Sequence, residues 1–221
     1  LVINLLRYEL GAAMAPYSSV SRLFRRHPAI SWSRQYHSMI DDSVSKLLDR
    51  EPQWRIADCS EPAILHDGYR PELLAGTDKA ERLRQAMRDE LDTNPGDPYA
   101  NAKLGGLLIS EGQHEEAIKL LRRGLEHDAI QDAERYELML HLALATTPSD
   151  PDSAIDWYRK ALEIPLDTRI SLGARLNLAA RLMERGELDE AIALTQTATQ
   201  RAPEVALAWY NLGLMQRRKG D

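Results

Sequence analysis

Cysteine is nearly absent from this chain: Cys59 is the sole one in 221 residues. That excludes an internal disulfide and any cysteine-cluster metal site. A lone thiol fits a reducing compartment, so a cytoplasmic location is expected. No apolar run approaches the roughly 18 to 20 residues that a membrane-crossing helix needs. The apolar start at Leu1 has neither a basic leading segment nor a small-residue cleavage site, and is not read as a signal peptide. Because the first residue is Leu1 rather than Met, a fragment or a processed chain is expected. Positive charge is not in excess either. Lys and Arg number 28 against 34 Asp and Glu, for a net charge of −6. Residues 1–75 balance at nine of each sign, so the acidic surplus lies wholly in 76–221. Phosphate backbones need clustered Lys and Arg, so nucleic acid is not an expected partner. A Ser-His-Asp order, a Walker loop and a glycine-rich dinucleotide fingerprint are all missing.

What is present is a repeat. Hydrophobic residues make up 43% and charged ones 28%, the balance of a folded globular chain rather than a disordered one. Leu178 and Gly186 recur as Leu212 and Gly220, a shift of 34 residues. Glu116-Ala117-Ile118, Ser153-Ala154-Ile155 and Glu190-Ala191-Ile192 follow one another at 37-residue spacing. Each sits just inside a helix, behind an acid that suits a helix N-terminus: Glu115, Asp152 or Asp189. Seven residues after each alanine stands Gly124, Ala161 or Ala198, so two helices can approach closely there. Gly112 and Gly186 fall between paired helices, where a tight turn favours a residue that tolerates positive φ. Such a period, split into two apolar-periodic helices, predicts a helical solenoid. A coiled coil is the rival reading, but this Gly and Pro punctuation would break one.

These residues resemble the tetratricopeptide repeat. Leu104-Gly105, Gly112, Ala117, Leu121 and Gly124 match its pattern, and Leu178-Ala179, Gly186, Ala191, Ala198 and Pro203 match it again. Trp209, Leu212, Gly213 and Gly220 begin a last unit cut after its first helix. In the middle unit Thr146–Pro151 replaces the glycine turn, and Arg175 stands where the family often has Trp. The resemblance implies a mainly α chain: about three and a half units over 97–221, preceded by a capping helix within 76–96. It also implies that the first helices of the units line a groove for a protein or peptide. Lys103, Asn177, Tyr210 and Asn211 are the candidate groove residues; Asn177 and Asn211 hold the same repeat position, where two amides could clamp a peptide backbone, although Asn is also simply frequent there. The truncated last unit leaves Leu207, Trp209, Leu212 and Leu214 open to self-association.

Residues 1–75 read differently, as a small α/β segment. Strands are expected at Leu1–Arg7, Val20–Arg26, Ile30–His37, Trp54–Ala57 and Ala63–His66, with a short helix at Val44–Arg50 behind Asp41-Asp42-Ser43. Ser21-Arg22-Leu23-Phe24-Arg25-Arg26-His27-Pro28, then Arg34-Gln35-Tyr36-His37-Ser38-Met39-Ile40, then His66-Asp67-Gly68-Tyr69 resemble the distal end of the catalytic domain in family 2 (GT-A) glycosyltransferases. Some bacterial members follow it with a helix and tetratricopeptide repeats, in the order found here. The resemblance implies transfer of a sugar from a nucleotide sugar, assisted by a divalent metal, Mg or Mn, with His37 as the late metal or catalytic histidine. No Asp-x-Asp precedes His37, and Ser38 replaces the usual Glu, so the donor site is expected upstream of Leu1 or missing. The competing expectation is a non-catalytic scaffold whose α/β segment only caps the solenoid. The plainer readings stand beside these: a hydrogen-bonded structural role for His37, a strand-ending role for His66, a solvated edge for Arg22 and Arg26, and a helix-start signal in Asp150-Pro151-Asp152.

Overall fold

A computed structural model describes residues 2–12, 16–34, 36, 38–68 and 78–220. Two compact units divide the chain, Leu1–Lys79 and Ala80–Asp221.

The first unit holds strands β1 (Val2–Glu9), β2 (Tyr17–Phe24) and β3 (Ile56–His66), with helix α1 (Asp41–Arg50) between β2 and β3. The sheet order is β2-β1-β3, with β1 antiparallel to β2 and parallel to β3. The central strand is the most apolar, and it buries Val2 and Leu6. Asp41 and Asp42 lie in the first turn of α1 and Arg50 in its last, so both charge signs complement the helix dipole. The helix buries Val44 and Leu47; Val44 and the fully buried Ile40 meet Val2, with Phe24 and Ile30 around them. This small core joins α1 to the sheet.

Two strand expectations are corrected here. The residues described within Ile30–His37 form no strand, only an isolated bridge between Ser33 and Met39. The segment is held to α1 instead: Ser31 N–H donates to Ser43 Oγ at 3.1 Å, and Ser43 Oγ donates to Ser31 O at 2.9 Å. The two strands expected at 54–57 and 63–66 are one strand. Pro62 does not end it, because the ladder shifts register between Asn4 and Leu6 and seats Pro62 opposite Leu6.

The second unit is helical: α2 (Lys79–Thr93), α3 (Pro98–Ser110), α4 (His114–Leu125), α5 (Asp132–Thr146), α6 (Pro151–Glu163), α7 (Leu172–Arg185), α8 (Leu188–Arg201) and α9 (Ala206–Lys219). Its starts are sequence-encoded. Asp97 and Asp150 cap α3 and α6 by accepting from Ala100 N at 2.7 Å and Ser153 N at 3.1 Å. Pro98 and Pro151 fill the first helical position, whose N–H has no intrahelical partner anyway. Two of the turns between paired helices are made by Gly112 and Gly186, both at positive φ, +76° and +84°. The middle turn manages without glycine, because the Asp150 cap restarts the helix.

Packing follows the repeat. The pairs α3–α4, α5–α6 and α7–α8 lie against each other, each second helix packs on the next first helix, and first helices neighbour first helices at α3–α5 and α7–α9. Ala154, Ala161, Ala191 and Ala198 are fully buried at the helix crossings, and Leu178, Leu182 and Tyr158 fill the space between them. Each fully buried leucine contributes about 1.5–3 kcal/mol. The position of Leu121 and Tyr158 becomes Thr195 in the third unit. Its hydroxyl donates to Ala191 O at 2.8 Å, and the buried Met215 of α9 fills the remaining volume. The fold is thus the expected solenoid behind a small α/β segment. Among the described residues no helix is long and apolar enough to cross a membrane.

Candidate functional site

The expected groove residues lie on first helices, Lys103 on α3, Asn177 on α7 and Tyr210 with Asn211 on α9, in different chemical states. On α3, Lys103 Nζ lies 2.6 Å from Glu137 Oε1 of α5 and 5.2 Å from the centre of the Tyr99 ring. Next to this pair, His141 Nδ1 is 3.1 Å from Ala102 O. Gly106 makes room for that imidazole, since a Cβ there would come within 2.7 Å of His141 Cε1. Burial holds the His141 pKa below its usual range, partly opposed by the Glu137 carboxylate. The face between α3 and α5 is therefore a Tyr99–Lys103–Glu137–His141 cluster, three of whose members periodicity alone could not single out.

Further along, Tyr136 of α5 is buried, and burial pushes its phenol well above the usual range. Burial also lowers Arg175, while the nearby Tyr136 phenol favours its charge. Asn177 and Asn211 are not equivalent. Asn177 Nδ2 donates to Gly173 O of its own helix at 2.8 Å, whereas Asn211 makes no side-chain hydrogen bond among the described residues. Tyr210 is 64% exposed beside Asn211. Trp209 is 52% exposed, with its indole N–H bound to Pro203 O at 2.8 Å.

In the first unit a second cluster forms where β1 and β3 end side by side. Glu9 is only 4% exposed. Its Oε1 accepts from Arg7 Nε at 2.6 Å and from the Ser18 hydroxyl, and its Oε2 lies 2.6 Å from His66 Nδ1. A buried carboxylate needs partners of this kind to remain in a core. Glu9 and His66 are 57 positions apart in sequence, and only the parallel pairing of β1 with β3 joins them.

The arginines of β2 and its exit stack on aromatics: Arg22 lies 5.0 Å from the Trp32 ring and Arg25 5.8 Å from the Trp54 ring. His37 lies outside the described residues. Among the described residues no three His, Cys, Asp or Glu side chains converge as a metal ion would require.

With this geometry in hand, the chain can be set beside known proteins. The family model described as Tetratricopeptide repeat matches residues 176–221 and again residues 98–129. A TPR repeat-containing protein of Synechococcus elongatus is 42% identical over 204 residues, covering 92% of this chain and 51% of that protein. The human protein O-mannosyl-transferase TMTC1 is 27% identical over 149 residues, 67% of this chain and 17% of that protein. The chain thus spans about half of the first relative and about a sixth of the second. Among solved structures, MamA superposes with a TM-score of 0.53 at 23% identity, over 62% of this chain and 77% of that one. YrrB, described as a TPR protein with an unusual peptide-binding site, superposes at 0.51 with 21% identity, over 80% and 83%. The chain carries tetratricopeptide repeats at 98–129 and 176–221. In particular, its repeats follow an α/β unit, and the match to the cyanobacterial relative is longer than the repeats alone can supply.

Proposed function

We propose that this chain is the C-terminal arm of a tetratricopeptide-bearing family 2 glycosyltransferase, whose first-helix face docks a protein or peptide partner or acceptor. The observation that carries the docking half is the polar, half-open face itself. Lys103 of α3 and Glu137 of α5 present charge, and Tyr210 and Asn211 of α9 present aromatic and amide surface. YrrB, a structural neighbour, is described as having a peptide-binding site, which supports the same use here. The catalytic half rests on the order of segments from Val20 to Leu125 and on the printed activity of the human relative. On this reading the donor site for the nucleotide sugar and its Mg or Mn ion lies upstream of Leu1 or is missing.

The test uses the complete natural protein. Calorimetry with UDP- and GDP-sugars should show uptake that requires Mn, and transfer to a protein acceptor should fall when α3–α9 are deleted. Absence of any metal-dependent nucleotide-sugar binding would overturn the catalytic half and leave a docking scaffold. The exposed Leu207 and Trp209 of α9 give that scaffold a second surface, through which copies of the chain associate; Leu212, also expected to be open there, is buried instead. Sedimentation of the Trp209→Ser variant tests it, with a shift to smaller species as the expected result.

A further inference from the structure

We propose that the cavity between α1 and residues 29–33 binds a phosphorylated monosaccharide through Lys46 and Arg50. This site goes beyond the docking face and stands independently of the glycosyltransferase reading. The cavity measures about 250 Å³ and is lined by Ser31, Ser33, Asp42, Lys46, Leu47 and Arg50, together with Ala29 and Ser43. That is room for roughly eight waters at about 30 Å³ each, more than a bare phosphate fills, and it lies just below the range of drug-sized sites. A ligand of one ring and one phosphate fits.

The charges decide its sign. Lys46 and Arg50 are four residues apart, so they share one face of α1, and both are exposed. Neither has an ion-pair partner among the described residues. Like charges at this spacing cost an isolated helix about 0.2–0.5 kcal/mol, and an anion between them reverses that sign. Asp42, the acid in the lining, is already engaged: Ser33 Oγ donates to its Oδ2 at 2.6 Å, and Arg34 Nε lies 3.7 Å from the same oxygen. Its charge is balanced from outside the pair, so the cavity stays net positive.

The remaining walls suit a sugar. The Ser31–Ser43 hydrogen bonds fix the rim before any ligand arrives, which lowers the ordering cost of binding. The Ser31 hydroxyl makes no hydrogen bond to protein among the described residues and is open to a sugar hydroxyl. Leu47 supplies an apolar floor for a ring face. The guanidinium takes two phosphate oxygens at once, and the ammonium adds a point charge.

Calorimetry of the complete chain with glucose 6-phosphate, glucose and inorganic phosphate tests the assignment. Saturable millimolar or tighter binding of glucose 6-phosphate is expected, with weakening by added salt. Lys46→Gln with Arg50→Gln should lower the affinity by about tenfold or more. Ser31→Trp, on the exposed rim, should block the cavity while leaving both cations in place. Glucose alone should give no saturable heat, and inorganic phosphate should bind more weakly than the phosphosugar. No binding of glucose 6-phosphate, or unchanged affinity in both variants, would overturn the site. Equal affinity for inorganic phosphate would overturn the ring.

Discussion

Gly124 offers the sharpest test of how the repeats pack. It occupies the place taken by Ala161 and Ala198 in the next two units, so sequence alone invites the change Gly124→Ala. Helix propensity favours that change by about 1 kcal/mol. The structure reverses the sign. A Cβ at 124 would lie 2.9 Å from Asn101 Cβ and 2.9 Å from Leu138 Cδ2. Leu138 is fully buried and has little room to turn. Asn101 is also fully buried, and its amide donates to Pro95 O at 2.9 Å and to Asp97 O at 2.8 Å, so its backbone is anchored. Overpacking a fixed core site costs about 1–3 kcal/mol, which leaves a net loss of about 1 kcal/mol after the propensity gain. Gly213 is the control, because a Cβ there meets nothing within 4 Å and the site is exposed. Gly213→Ala should therefore stabilise by up to about 1 kcal/mol. Urea unfolding followed by circular dichroism reads both variants in opposite directions. A stabilised or unchanged Gly124→Ala variant would refute the packing argument, because propensity would then have won.

Four further outcomes are expected. Gly186→Ala should cost about 1 kcal/mol in the same urea assay, because its φ of +84° is strained for a residue with a Cβ. Asp97→Ala should cost about 1 kcal/mol through loss of the buried cap on Ala100 N–H. His141 resists protonation in the folded chain more than in the unfolded one. Stability at that site is complete above the ordinary histidine pKa of about 6.5 and falls as pH drops below it; in thermal scans from neutral pH to pH 5, His141→Gln should flatten that loss. Against peptides selected from a display library, Asn211→Ala should weaken binding more than Asn177→Ala, because only Asn177 is tied to its own helix; unchanged affinity in both variants would move the groove elsewhere.

The repeats were legible because their signal is periodic and redundant. Ala117, Ala154 and Ala191 recur at fixed spacing, and each reports the same local packing problem. What the period could not reveal were the residues that join different helices. Asn101 reads as an ordinary polar helix residue, yet it is fully buried and sets the size limit at Gly124. His141 carries no signal of its own in the sequence and gains its setting only where α5 packs on α3. The α/β unit was less legible. Alternating residues near Ile30 imitate a strand, while the serines that divert the segment onto α1 have no local period. Pro62 looked like a strand end because a register shift cannot be foreseen from composition. Glu9 drew no notice at all, since its partner His66 comes from a distant strand.

The bulged path of β3 also bears on how the chain behaves in a crowded solution. Among the described residues β3 pairs on one side only, with β1. It is an 11-residue edge carrying exposed Ile56 and Leu65, the kind of edge that recruits other chains into intermolecular sheets. Pro62 removes one backbone donor from that edge, while Asp58 and Glu61 set negative charge along it. The register shift bends the strand where a flat template would be needed. Replacing Pro62 with Val would restore a regular edge. The residue that disguised the strand is thus also the one that blunts its open edge.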